Sequence, residues 1–244
     1  MASFSTADGA DIYYEVHGEG FPVLLIAPGG MRSAVSFWEN TPWNPITDLE
    51  GDFQVVAMDQ RNAGRSSGPV SATAGWHTFA ADQLALMDHL GIGRFLVAGM
   101  CIGGPYAFGL IDAAAGRIAS AVLFQSIGRD DNRQAFFDMF DSWATELRDR
   151  FPEMSEADWA RFRANMYDNE ARFFNVDDDW VSACGTPLLV LCGKDLYHPE
   201  SASRAVAEMA PNAAFIEDWK EGEARERARA VVADFLKAHT PFEG

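Results

Sequence analysis

The chain has 244 residues, enough for one large core plus an insertion, and its 48% hydrophobic and 23% charged content is that of an ordinary globular protein. A formal charge of −17, from 36 acidic against 19 basic side chains, repels nucleic-acid phosphates and anionic lipid, so neither partner is expected. The opening MASFSTADGADIYYEVHG lacks the basic and apolar regions of a secretory signal, and no uninterrupted apolar run reaches the length of a membrane span.

Asp11 to His17 alternates polar and apolar positions, as an antiparallel edge strand paired with the N-terminus would. Short, continuously apolar runs follow at Val23 to Ala27, Gln54 to Met58, Phe95 to Ala98, Ala121 to Phe124 and Leu188 to Cys192, with a last strand near Ala214 to Ile216. Longer amphipathic stretches separate them, which predicts an α/β fold with a mostly parallel sheet buried on both faces by helices. In one such stretch Phe79, Gln83, Leu86 and Leu90 share a helical face that stops at Gly91, a residue suited to a left-handed C-cap. The last helix is expected to turn Ala228, Val231, Val232 and Phe235 inward. Residues 127–186 break the alternation, with helical stripes at Phe136, Phe140, Trp143 and Leu147 and then at Trp159, Phe162 and Met166. We read this segment as a helical cap inserted into a core domain of residues 1–126 and 187–244, with aromatics such as Phe137, Phe173 and Phe174 available to line a pocket. The three cysteines are widely spaced, with no CxxC pair and no His/Cys cluster, which points to reduced thiols, a cytoplasmic setting and no bound metal.

The chemistry concentrates in Gly99-Met100-Cys101-Ile102-Gly103-Gly104, which follows the apolar run FLVA and precedes a helix-like stretch from Pro105. Small residues at Gly99 and Gly103 let a sharp strand-to-helix turn close while the Cys101 side chain stands at the carboxyl edge of the sheet. There the backbone N–H of Ile102 would point at a developing oxyanion, and the helix N-terminus would favour a thiolate. The alternative for an isolated GxCxG is a buried structural cysteine.

Together with APGG after one strand, MDQRNAGRSS after the next and LCGKD after a late one, this motif resembles the α/β-hydrolase superfamily over nearly the whole chain. The resemblance implies an α/β-hydrolase fold, a second oxyanion donor from Gly30 or Met31, a structural turn at Asp59 and Arg61 with Asn62 replacing the usual glycine, and an acid at Asp195. It also implies a catalytic histidine after the final strand, where this sequence has Glu217, Asp218, Trp219, Lys220 and Glu221 instead. His17, His89 and His239 fall where solvent is expected, and His77 opens a helix. His198, three residues after Asp195 in the same loop, is the candidate base, and Lys220 is a rival.

The expected function is a cysteine-dependent hydrolase or acyl transferase that acts on a small ester, lactone or thioester through an acyl-Cys101 intermediate. Two alternatives stay open: a ligand-binding protein on a degenerate hydrolase scaffold, and a lyase using the pocket without covalent catalysis. No nucleotide, phosphate-loop or HExxH motif calls for a cofactor. The expected partner is a small-molecule substrate, with a second copy of the chain as a further candidate.

Overall fold

The computed structural model describes residues 2–241. Eight strands build one sheet: β1 (Ala2–Ser5), β2 (Asp11–His17), β3 (Phe21–Ile26), β4 (Phe53–Met58), β5 (Phe95–Met100), β6 (Ile118–Phe124), β7 (Leu188–Leu191) and β8 (Ala213–Ile216). Their order is β1-β2-β4-β3-β5-β6-β7-β8. β1 and β2 pair antiparallel, β2 pairs antiparallel with β4, and the remaining neighbours run parallel. The expected strands therefore form, including the edge pairing of Asp11 to His17 with the N-terminal segment.

The helices are α1 (Pro45–Leu49), α2 (Trp76–His89), α3 (Gly103–Ala114), α4 (Arg133–Leu147), α5 (Glu156–Tyr167), α6 (Asp178–Ala183), α7 (Glu200–Met209) and α8 (Gly222–Ala238). Alternate residues of each central strand feed separate cores on the two faces of the sheet. Leu24, Ile26, Val97 and Leu123 pack with α2, α3, α4 and α5, whereas Val23, Leu25, Leu96 and Val122 pack with α1 and α8. Burial on both faces is why these strands read as unbroken apolar runs.

α2 ends as its sequence indicates. Gly91 turns left-handed at φ 71°, and the N–H groups of Ile92 and Gly91 bond to the carbonyls of Met87 and Asp88, which closes a Schellman cap. The inward face of α8 differs from the expected one. Ala228, Val232 and Leu236 are buried, whereas Val231 is 44% exposed and Phe235 only half-buried. The stripe follows i, i+4, i+8, and Val231 lies one step round the helix from it.

Between β6 and β7 lie α4, α5 and α6. All of Phe136, Phe140, Trp143, Leu147, Trp159, Phe162 and Met166 are buried. Most of these aromatics pack on one another, as in the edge-on contacts of Phe140 with Trp143 and Phe162 at 5.4 and 5.1 Å. Two side-chain links tie α4 to the body: Trp143 Nε1 donates to the Asn62 carbonyl at 3.2 Å, and Arg32 reaches Ser142 and Glu146 at 2.9 and 2.6 Å. Asn62 adopts φ 59° and its side-chain amide closes the turn on both backbone groups of Gly68 at 3.1 Å, so asparagine serves where the family has glycine.

The close approach of α3 to β5 depends on Gly99. A Cβ there would meet the Gly103 carbonyl oxygen at 2.3 Å, a backbone atom that cannot step aside. Gly99→Ala is expected to cost about 3 kcal/mol by overpacking, read as a lower urea midpoint at unchanged slope; an unchanged midpoint would contradict this packing.

Candidate active site

Cys101 occupies the turn between β5 and α3 in a left-handed conformation, φ 61°, which is uncommon for a residue with a side chain and costs about 1–3 kcal/mol, so it persists only where the surroundings enforce it. Three backbone hydrogen bonds enforce it here. Its N–H donates to the Phe124 carbonyl of β6 at 3.0 Å, and its carbonyl accepts from Gly104 and Ile127 at 3.1 Å each. Gly103 lies so close to β3 that a Cβ would sit 2.8 Å from the Ile26 carbonyl. The turn is thus fastened to the strands on either side, and the thiol projects at the carboxyl edge of the sheet.

The loop from β7 to α7 brings the other two groups. Asp195 and His198 bond to each other through both backbone N–H and C=O groups, at 3.1 and 3.2 Å, which closes a tight turn over Leu196 and Tyr197. Within it, Asp195 Oδ1 accepts the N–H groups of Tyr197 and His198 at 3.1 Å each. His198 Nδ1 lies 2.7 and 2.8 Å from the two carboxylate oxygens. The turn sits directly on Gly193, where a Cβ would come within 2.4 Å of the His198 carbonyl oxygen. From the opposite side, Asn132 Nδ2 donates to the Leu196 carbonyl at 2.7 Å.

With Nδ1–H donating to the carboxylate, the neutral imidazole presents Nε2 as an acceptor. Nε2 is buried and makes no hydrogen bond, and His198 lines the same cavity as Cys101. Burial alone would raise the thiol's pKa, yet hydrogen bonding and charge from His198, with backbone hydrogen bonding from Gly29 and Ile102, bring it below the ordinary thiol value. Burial likewise lowers His198, and Cys101 and Asp195 outweigh it, so the imidazole titrates above its usual range. The two shifts together favour a thiolate and imidazolium pair. Asp195, its side chain 48% exposed, is held below the usual carboxylate range, because the hydrogen bonds and charge of His198 overcome the effect of burial.

The structure therefore brings Cys101, His198 and Asp195 together and leaves the rival aside. Lys220 lies over the Trp219 ring, 5.4 Å from its centroid, and does not line the cavity at Cys101. The loop after β8, where the resemblance implies a histidine, is filled by Trp219, 1% exposed. Its indole donates to the Cys192 carbonyl at 2.7 Å and packs edge-on against Trp43 at 5.5 Å.

Gly29 and Gly30 both take positive φ, 119° and 58°, and this double turn lines the cavity beside Cys101. The Met31 side chain is fully buried and its sulfur accepts the Tyr167 hydroxyl at 3.5 Å, so any part Met31 has on the oxyanion side falls to its backbone N–H. Sequence reasoning missed Gly29, Ile127, Met139 and Tyr197, which line the cavity with Gly30, Phe136 and the reacting pair. Tyr197 had a signal in its adjacency to His198, whereas Met139 had none. Of the aromatics in residues 127–186, Phe136 lines the cavity, whereas Phe137, Phe173 and Phe174 do not.

The other histidines stand elsewhere. His89 is exposed yet stacks on Phe4 at 5.0 Å, and His17 and His239 are half-buried against Glu15 and the Phe235 carbonyl, so simple solvation describes none of the three. His77 is exposed at the second residue of α2. Among the described residues no group of three or more His, Cys, Asp or Glu is placed to hold a metal ion, and no helix is long and apolar enough to cross a membrane.

A family model for the α/β hydrolase fold matches residues 22–185, and the chain belongs to that family. The matched stretch includes Cys101 and ends before Asp195 and His198. Among curated proteins the chain is similar to "Putative carbamate hydrolase RutD" of Azorhizobium caulinodans, 36% identical over 50% of this chain and 43% of that protein. It is also similar to the non-heme chloroperoxidase of Streptomyces lividans, 32% identical over 52% of this chain and 45% of that protein. The alignments thus span less than half the length of each of these two relatives. Among solved structures, the meta-cleavage product hydrolase CumD from Pseudomonas fluorescens IP01 superimposes with a TM-score of 0.72 at 22% identity, covering 98% of each chain, a likeness of fold.

Native alkylation with iodoacetamide across a pH series, followed by peptide mass, is expected to separate the thiols. Cys101 should reach its plateau rate below the ordinary thiol range, and Cys184 and Cys192, whose pKa values burial raises, above it. In His198→Ala the burial effect remains and the offsetting partner is gone, so the Cys101 profile should move to higher pH. Three superimposable profiles in the native protein would contradict the site.

Proposed function

We propose that the protein is a hydrolase whose nucleophile is the Cys101 thiolate, with His198 as general acid and base and Asp195 as the group that orients it, acting on small esters, lactones or thioesters. The observation that carries this reading is the position of Cys101: a left-handed strand-to-helix turn that sets the thiol in one cavity with an imidazole whose Nδ1 is held by a carboxylate. The absent histidine after β8, which favoured a degenerate binding scaffold, is answered by an imidazole from the preceding loop.

In the proposed cycle, Nε2 of His198 takes the thiol proton and the sulfur attacks the substrate carbonyl carbon. The resulting oxyanion is stabilised by the N–H of Ile102 and by N–H groups of the Gly29-Gly30 turn. As the tetrahedral centre collapses, the bond to the leaving alcohol or thiol breaks and the leaving group takes the proton from His198, which yields acyl-Cys101. Water then gives a proton to Nε2 and attacks the acyl carbon, and the second collapse releases the carboxylic acid and restores the thiol. Another acceptor in place of water would make the same site an acyl transferase. Carbamates, named for the Azorhizobium relative, also present an electrophilic carbonyl of this size and belong in the substrate screen. We also assign residues 127–186 the role of a cap, because Phe136 and Met139 of α4 close the cavity over Cys101.

Incubation with a p-nitrophenyl ester at low pH, where deacylation is slow, should add the mass of the acyl group to the peptide containing Cys101. Cys101→Ala should abolish both adduct and turnover, and His198→Ala should lower kcat/KM by about a hundred- to ten-thousand-fold. Turnover that persists in Cys101→Ala would discard the covalent route and favour the non-covalent lyase alternative.

A further inference from the structure

We propose that Met139 is the gate and the size-determining residue of the Cys101 cavity, admitting a short, uncharged acyl group and turning away longer ones; this rests on the acyl-transfer reading above. The cavity holds about 250 Å³, below the usual range for drug-sized ligands of about 300–1,000 Å³. No Lys, Arg, Asp or Glu lines it. A charged acyl group would lose its hydration there without an ion-pair partner beyond the reacting groups themselves.

Most of the wall cannot move. Gly29 and Gly30 contribute backbone. Ile127 is 2% exposed and its N–H is bonded to the Cys101 carbonyl. Phe136 is fully buried, stacked on Tyr167 at 5.3 Å, with Phe174 edge-on at 4.7 Å and Tyr197 edge-on at 5.5 Å. Met139 is different in kind: half-buried, unbranched and free to rotate about three bonds. Its sulfur lies against the glycine turn so closely that a Cβ on Gly30 would come within 2.2 Å of it. One to two turns further along α4, the Trp143 and Arg32 links hold the helix to the body, so rotation of the Met139 side chain opens a path that does not require the helix to leave. Its length also sets how much of the cavity an acyl chain can fill.

The test uses two readouts on the native protein and on Met139→Ala and Met139→Phe, with thermal melts to confirm folding. The first is the rate of Cys101 modification by iodoacetamide and by the bulkier N-phenylmaleimide, which requires no turnover. Met139→Ala should raise the ratio of the bulky to the small reagent at least tenfold, and Met139→Phe should lower it. The second is acylation of Cys101 by p-nitrophenyl acetate, butyrate and octanoate, whose optimum should move to longer chains in Met139→Ala. Ratios and chain-length profiles unchanged within twofold in both variants overturn the gate. A shifted reagent ratio with no acylation of Cys101 by any ester upholds the gate and overturns the acyl-transfer reading, so the two fail separately.

Discussion

The left-handed turn at Cys101 is the constraint on which the rest of the site depends. A cysteine at φ 61° is held by hydrogen bonds to β6 and to the segment that leaves β6, and those bonds form only when α3 lies close against β5 and β3. Gly99 and Gly103 permit that approach, and the pairing of β3, β5 and β6 in parallel register places it at the carboxyl edge of the sheet. The strain is local, and its effect is directional: the thiol leaves the backbone toward the cavity, with the N–H of Ile102 at its side. A relaxed backbone at the same residue would turn the sulfur elsewhere.

The second requirement is an imidazole at the right place, and this chain meets it within a single loop. In the family pattern the acid and the histidine come from two loops whose relative position depends on how the last strands pack. Here Asp195 and His198 are locked by reciprocal backbone hydrogen bonds across a turn of two residues, so their distance is set locally. The loop as a whole is then positioned by Gly193 beneath it and Asn132 beside it. The space of the missing histidine holds Trp219, whose indole bonds to the Cys192 carbonyl where that loop begins.

The helices between β6 and β7 give the site its third property, seclusion. Their aromatics serve mostly one another, which fastens α4 and α5 into a unit, and only Phe136 and Met139 of α4 face the cavity. An apolar enclosure works against charge on both thiol and imidazole, so the pair depends on the partners each has, and the enclosure limits what the sulfur can meet.

What the sequence determined by itself is what local pattern encodes. The buried strands were legible because residues apolar on both faces leave no alternation, the Gly91 and Asn62 turns because few residues accept positive φ, and Cys101 because small residues flank it between a strand and a helix. His198 could be nominated because its acid lies three residues away. What only the tertiary structure decided depends on groups distant in the chain. The inward face of α8 shifted from Val231 to Leu236 because the sheet it covers sets the stripe. Gly29 joins the cavity wall with Gly30 because two successive positive φ values shape the turn. Met139 meets Gly30 across more than a hundred residues, a contact that exists only once α4 has docked. Periodicity and spacing report neighbours along the chain, and a cavity is made of neighbours across it.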